Sequence, residues 1–271
     1  MTAFAQDFPL LSCKGLGVDI DTSKIVGDFC FEANAGEFIA LCGPNGAGKS
    51  TLVRALANLI RYSGDVFIAN RPASTLSRIE RAKRISYLPQ NGSIHWPMPV
   101  RDLVALGRLP FGHAYEKPGT QDEQAINAAM KACDIRHLES RAANTLSGGE
   151  RARVLLARAI ATQADVLLAD EPLAALDPAY QLTAMQILKD YAASGHAVIA
   201  VTHDISLTMS YAHRFLAMKG GRLLAEGDGK SLFERGVFDE CFGVRFEALT
   251  GTNHEFAGII AKESSQANGS K

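Results

Sequence analysis

Nowhere in the 271 residues does an apolar run approach the roughly 20 residues that a bilayer-spanning helix needs. The best runs, around Val166–Ala169 and Ala197–Val201, read as buried strands, so the chain is not itself a channel. A charge excess is also missing. The 28 Lys+Arg nearly cancel the 29 Asp+Glu, and the basic residues are scattered, which leaves no broad electrostatic footprint for nucleic acid. Any phosphate binding must be local. The five cysteines (Cys13, Cys30, Cys42, Cys133 and Cys241) form no CxxC pair and no metal-type spacing with histidine, so free thiols in a reducing compartment are expected. Leu10-Leu11-Ser12-Cys13 has the outline of a lipid-attachment site. The residues before it carry no Lys or Arg and include Asp7 and Pro9, which is wrong for a signal peptide.

What is present is an ordinary globular composition, 47% apolar, at a length that suits one large α/β domain or a core plus a subdomain. Short β-like runs alternate with helical stretches, the pattern of a largely parallel sheet. Strands are expected near 37–42, 85–88, 165–169 and 197–202, and helices near 49–60, 148–162, 178–193 and 204–211. Between Asn91 and Leu146 strand-like runs vanish, Pro and Gly cluster, and helical periodicity takes over, which predicts a helical insertion. Within it Thr120-Gln-Asp-Glu123 has the capping-box form. After Val244 the signals weaken, and Ser264–Lys271 reads as a disordered tail.

Residues 43–50 read GPNGAGKS, preceded by apolar Phe38–Cys42 and followed by the helix-like Thr51–Leu56. A phosphate loop requires that context. Gly43, Gly46 and Gly48 let the backbone turn tightly, and with Pro44, Asn45 and Ala47 they complete a phosphate-binding loop whose exposed N–H groups, Pro44 having none, stand at a helix N-terminus. Lys49 is then placed for the β- and γ-phosphates, Ser50 for Mg²⁺, and Thr51 for the α-phosphate side. A plain glycine turn would not need the strand before it and the helix after it.

Asp165–Glu171 is a buried strand ending in two acids. Ligands of open parallel sheets sit beyond the strands' carboxyl ends, which brings the pair to the phosphate loop. Asp170 suits the metal, and Glu171 suits the attacking water. Solvated acids at a strand end are the bland alternative, and the loop nearby makes it the weaker one. His203 closes the next buried strand on the same rim and suits the γ-phosphate or Glu171. Gln90 ends the strand beginning at Ile85 and could reach Mg²⁺ or the water, though alone it would mean little.

Leu146-Ser147-Gly148-Gly149-Glu150 precedes a long helix, and its Ser-x-x-Glu spacing is itself a capping box. Two glycines in a first turn cost about 1 kcal/mol each against Ala, a poor choice unless something approaches the backbone closely. Together these segments resemble an ATP-binding cassette over about residues 10–240. GPNGAGKS resembles its Walker A loop, Gln90 its Q-loop, LSGGE its signature, VLLADE its Walker B strand, Ala175-Leu-Asp177 its D-loop, and His203 its switch histidine. Six motifs stand in the family's order.

The resemblance implies a P-loop NTPase, α/β with a RecA-like core of mainly parallel sheet, an antiparallel β part and an inserted helical subdomain. It assigns the core to 1–90 and 160–244, the subdomain to 91–159, and a partly disordered extension to 245–271. It implies ATP and Mg²⁺, with Ser50, Gln90 and Asp170 at the metal and Glu171, His203, Lys49 and Gln90 in catalysis. It also implies a head-to-tail homodimer in which the partner's Ser147, Gly148 and Gly149 cover the γ-phosphate. Two departures stand out. Glu150 replaces the family's usual Gln and is expected to be tolerated because a capping role turns its carboxylate away. Val18–Lys24 offers no aromatic residue for stacking adenine.

Trp96–Pro110 resembles the TVxDxVxxGRxP stretch of cassettes serving iron-chelate, haem and cobalamin importers. The implied role is ATPase of an importer, most specifically for an iron siderophore, with haem or cobalamin as alternatives. The implied partners are integral membrane permeases and, indirectly, a periplasmic or surface binding protein. The chain would then sit peripherally on the cytoplasmic side of the inner membrane, with no nucleic acid expected. The other class is a soluble, non-transport cassette, which typically shows two cassettes in a chain, a long coiled coil or a basic arm. None of these is visible here.

Overall fold

The computed structural model describes residues 8–90, 92–112, 118–174, 176–250 and 256–262. Its strands are β1 (Leu11–Ile20), β2 (Ser23–Ala33), β3 (Phe38–Cys42), β4 (Ser63–Ile68), β5 (Arg71–Pro72), β6 (Ile85–Leu88), β7 (Val166–Ala169), β8 (Ala197–Val201), β9 (Arg214–Lys219), β10 (Arg222–Gly227), β11 (Arg245–Thr250) and β12 (Phe256–Lys262). Its α-helices are α1 (Lys49–Leu56), α2 (Arg78–Arg84), α3 (Val100–Ala105), α4 (Thr120–Ala132), α5 (Gly148–Ala161), α6 (Pro178–Ala193), α7 (Ile205–Met209), α8 (Gly229–Glu234) and α9 (Val237–Phe242).

The central sheet has the order β10-β9-β3-β8-β7-β6, parallel from β9 to β6, with β10 antiparallel at one edge. Both faces are covered, and residue parity shows how. Phe38, Leu167, Ala169, Val198 and Ala200 face the helices α3 to α6. Ile39, Leu41, Val166, Leu168, Ile199 and Val201 face α1 and the second sheet. Continuous apolar strands are what two-sided burial requires. The second sheet, antiparallel in the order β2-β1-β4-β5, gave little sequence signal because β1 carries register shifts that break its alternation. Cys13 is buried within β1. All five cysteines are free thiols, and only Cys30 is exposed.

The stretch between β6 and β7 contributes the helices α3, α4 and α5. The capping motif predicted at Thr120 lies one residue earlier: Asp122 Oδ2 accepts from Gly119 N at 3.2 Å, and Thr120 is the first helical residue. Glu123 is thereby free to pair with Arg101. The Gly107-Arg108 pair acquires a structural reason. A Cβ on Gly107 would lie 2.2 Å from the Arg158 carbonyl, so only glycine lets this segment rest on α5. Buried Arg108 donates to the Ala161 and Thr162 carbonyls at 3.0 Å each and to Asp122 at 2.8 Å, capping the C-terminus of α5.

Helix α1 ends at Leu56, short of the expected 60, because Asn58 turns left-handed at φ 56°. In the stretch after Val244, where the sequence signals weaken, β11 and β12 pair antiparallel, and their Phe246 and Ile259 pack on β9, α7 and α9. The tail predicted from 264 lies outside the described residues, as does Ala175 of the D-loop. Among the described residues no helix is long and apolar enough to cross a membrane.

Candidate functional site

The carboxyl ends of β3, β8, β7 and β6 line one rim of the central sheet, and each carries a residue singled out in the sequence. After β3 the loop 43–48 runs into α1 with Gly43, Gly46 and Gly48 at φ 153°, 77° and 94°, values that L side chains rarely adopt. The chain behind the loop enforces glycine as well. A Cβ on Gly43 would stand 2.1 Å from the Met218 carbonyl, and one on Gly48 would stand 2.8 Å from the Ile25 carbonyl. The Ala47 carbonyl accepts from Gly221 N at 3.1 Å, which ties the loop to the β9–β10 turn. Pro44 is half-buried, Asn45 and Gly46 are exposed, and Thr51 is half-buried one turn into α1.

Lys49 is buried and folded back, donating from Nζ to the Gly43 carbonyl at 2.7 Å and the Pro44 carbonyl at 2.9 Å. Burial pulls its ammonium below the usual lysine range, against the pull of Glu171 and Asp170. An ammonium that holds only loop carbonyls, inside a loop of turned glycines, fits a polyphosphate. Ser50 Oγ donates to Asp170 Oδ1 at 2.8 Å. Asp170 is 3% exposed, and burial raises its carboxyl above the usual range while the Ser50 hydrogen bond opposes the rise. A hydroxyl and a carboxylate facing each other are hard oxygen donors of the kind Mg²⁺ takes, so the residues present fit that ion.

Glu171 adopts φ 50°, rare for a side-chain-bearing residue and costing about 1–2 kcal/mol. That turn separates it from Asp170. His203 Nε2 lies 2.7 Å from Glu171 Oε1, and Gln90 Nε2 donates to Glu171 Oε2 at 2.5 Å. Both oxygens are therefore engaged. Gln90 reaches Glu171 here rather than the Ser50–Asp170 pair. Sequence reasoning passed over Tyr87, whose hydroxyl lies 3.4 Å from Asp170 Oδ2. Burial first, then the Asp170 charge, pushes this phenol up to about 12, so it donates as a neutral group. Its signal was hidden because an aromatic at alternate positions of a strand reads as packing.

Ser147 caps α5, and Gly148 and Gly149 are its first two residues. The Ser147 hydroxyl accepts from Glu150 N at 3.3 Å, and Glu150 Oε2 accepts from Ser147 N at 2.8 Å. This completes the capping box. Glu150 Oε1 accepts from Arg141 at 2.9 Å. The Ser147 amide holds the Glu150 carboxyl below its usual range, with Arg141 adding to the effect. Gly148 is exposed, with open space where a Cβ would stand. Asp177 accepts from Tyr180 N at 3.1 Å and caps α6, whose first residue is Pro178. Around the β1–β2 turn residues 19–24 are all exposed, Ile20 is the large apolar one among them, and none is aromatic.

The chain belongs to the ABC transporter family, which matches residues 26–174. It is an ATP-binding, ATP-hydrolysing transport ATPase. Among its curated relatives, the hemin import ATP-binding protein HmuV of Nocardia farcinica is 40% identical over 254 residues, covering 92% of this chain and 88% of the relative. HmuV of Streptomyces coelicolor is 39% identical over 234 residues, covering 86% and 83%. Among solved structures, a putative metal-chelate type ABC transporter in an inward-facing conformation is 25% identical, with TM-score 0.80, covering 96% of this chain and 100% of that one. A dimeric ATP-binding cassette in a post-hydrolysis state with ADP and Pi is 26% identical, with TM-score 0.71, covering 80% and 98%.

Proposed function

We propose that this chain is the ATPase subunit of a haem importer, working as a head-to-tail pair on the cytoplasmic face of the inner membrane. Its partners are integral membrane permeases and, through them, an extracytoplasmic haem-binding protein. The observation that carries the chemistry is Glu171, held at both oxygens by Gln90 and His203 beside the Ser50–Asp170 pair. The cargo reading is supported by relatives, 39 and 40% identical, that bear the name hemin import. This moves the cargo from the siderophore expected from Trp96–Pro110. A ferric chelate is the second reading, favoured by the likeness to the putative metal-chelate type transporter.

In this reading Gly43–Thr51 cradle the ATP phosphates, and Lys49 exchanges the Gly43 and Pro44 carbonyls for the β- and γ-phosphates. Ser50 and Asp170 would hold Mg²⁺, with Gln90 a further candidate donor on the same rim. The bound ion supplies positive charge against the phosphates. Glu171 accepts the proton of the attacking water, while His203 and Gln90 fix its carboxylate. Ser147, Gly148 and Gly149 of the second copy close over the γ-phosphate with the positive end of α5. Closure moves the helical subdomain, 91–159, relative to the core at 1–90 and 160–244. The extension assigned to 245–271 is counted apart from both, although its described strands β11 and β12 pack on the core elements β9, α7 and α9.

The test is reconstitution of the chain with its co-purified permease in proteoliposomes, with haem or a ferric siderophore supplied outside. ATP-driven haem uptake that Glu171→Gln abolishes is expected. Uptake of the ferric siderophore alone would transfer the reading to chelates, and purification with no permease would favour a soluble cassette.

A further inference from the structure

His203 meets Glu171 with a side chain that is 41% exposed, and among the described residues Glu171 is the hydrogen-bond partner of its ring. An imidazole held at one nitrogen and open to water keeps its aim only if the backbone beneath it is fixed. The residues on either side of His203 fix it.

Thr202 follows β8 with its amide still bound to the Leu41 carbonyl of β3 at 3.1 Å, so it is anchored to the sheet. Asp204 caps α7, its Oδ1 accepting from Leu207 N at 2.8 Å. Thr208, 1% exposed, stands on that same helix, whose Ile205 packs in one cluster with Phe238 and Ile259. The Thr208 hydroxyl donates to the Asp204 carbonyl at 2.6 Å and lies 2.9 Å from the Thr202 hydroxyl, which is itself 3.2 Å from the same carbonyl. Two hydroxyls have two protons for these three contacts. The shortest contact takes the Thr208 proton, and the Thr202 proton goes to Thr208 or to the carbonyl. Either way the bonds close a buried knot through 202, 204 and 208, and His203 is the residue it spans.

We propose that Thr208 is a positioning residue for His203: with Thr202 it clamps the Asp204 carbonyl and so sets the backbone from which the imidazole reaches Glu171. The proposal rests on the reading of Glu171 and His203 as partners in hydrolysis. The Thr208 hydroxyl bonds to Thr202 and Asp204 and not to the phosphate loop, so its loss acts on turnover and leaves ATP binding alone. A threonine that only filled space under α7 would act on stability, and its loss would cost the same whether or not a histidine stood at 203.

The experiment uses the full chain in two measurements, steady-state ATP hydrolysis and NMR of ¹³C-labelled histidine rings, in which His203→Ala identifies the His203 signal by its disappearance. Thr208→Val keeps the branched shape and removes the hydroxyl. It should shift or broaden the His203 signal with the other histidine signals unmoved. It should also lower kcat roughly 2–10-fold, the range of one hydrogen bond, with KM for ATP unchanged. Thr208→Ser keeps the hydroxyl and should restore both. In the His203→Ala background, Thr208→Val should lower the residual rate no further. If Thr208→Val does not fold, Thr202→Val removes the other half of the clamp and has the same expected outcomes. An unmoved His203 signal, or an equal fall in kcat with and without His203, overturns the proposal. His203→Ala separates the two failures. If it hydrolyses ATP at the parental rate, the role of His203 falls and that of Thr208 with it; if it hydrolyses poorly while Thr208→Val keeps the parental kcat, only the role of Thr208 falls.

Discussion

On the proposed reading the loop-and-acid rim and the start of α5 are both phosphate-directed stretches of one chain, yet they are built in opposite ways. At the rim, Lys49 and Asp170 are buried, and Glu171 is held by two neighbours across strand ends far apart in sequence. At α5, Ser147 and Gly148 are exposed, and the Ser147 side-chain and amide bonds are local, to Glu150 within the same turn. The rim is finished inside one chain. The α5 terminus is a prepared surface that lacks a complement, which is what a composite site between two copies requires.

The sharpest test of that contrast is Glu171→Gln. The amide keeps the shape and loses the base, so hydrolysis should fall about 10²–10⁴-fold while ATP binding persists and ATP-loaded dimers accumulate in size-exclusion chromatography. Unchanged turnover would remove Glu171 from its role. Next in size is a pair of glycine substitutions. Gly43→Ala drives a methyl against the Met218 carbonyl at a left-handed φ and should cost about 3 kcal/mol or more in denaturant unfolding, with nucleotide binding lost. Gly148→Ala meets open space at a helical position and should leave the fold as stable or up to about 1 kcal/mol more stable. Its defect should appear only in ATP-dependent dimerisation. Equal destabilisation by the two substitutions would erase the distinction.

How much of this was legible follows the same line. The loop, the two acids, Gln90 and His203 could be read because phosphate and metal chemistry restricts residue types at fixed spacing. The parallel strands could be read because two-sided burial leaves continuous apolar runs. Tyr87 could not, since its role depends on a neighbour 83 residues away and its type fits plain packing. Gly107 and Arg108 were read as part of an importer-like stretch, whereas their immediate work is to seat and cap α5. The antiparallel sheet was known only through family resemblance, because bulges in β1 scramble its alternation. The Thr120 cap was misplaced by one residue because Asp122 and Glu123 both suit it in sequence, and only the position of Arg101 decides between them.

A pH experiment sharpens the buried side of the comparison. Burial raises the Asp170 carboxyl, so its ionised form is disfavoured in the folded chain. The sign follows directly. The contribution to stability is full below the unfolded value of about 3.9 and is lost as pH rises through the raised folded value. In Mg²⁺-free buffer, Asp170→Asn should therefore melt higher than the parent at neutral pH, and the gap should close toward about pH 4. Mg²⁺ should stabilise the parent in the presence of nucleotide and not the variant. A parent that melts as high as the variant at neutral pH would mean that the Ser50 and Tyr87 hydroxyls fully offset the burial.

The smallest effect belongs to the exposed side. Glu150 stands where the family resemblance led to Gln, and it is held in two directions, by the Ser147 amide and by Arg141. Glu150→Gln keeps an oxygen for the amide and loses the ion pair, which at an exposed arginine is worth no more than about 1 kcal/mol. Because the Ser147 bond and Arg141 depress the Glu150 carboxyl, its contribution is present above the usual glutamate range and lost as pH falls through the lower folded value. Parent and variant should thus differ slightly at neutral pH and converge in acid. In ATP-dependent dimerisation the two should match, since the carboxylate already turns back toward its own helix start and away from an incoming phosphate. A variant that dimerised more than about tenfold more tightly would show instead that the Glu150 charge reaches the partner's nucleotide, and that Arg141 does not neutralise it.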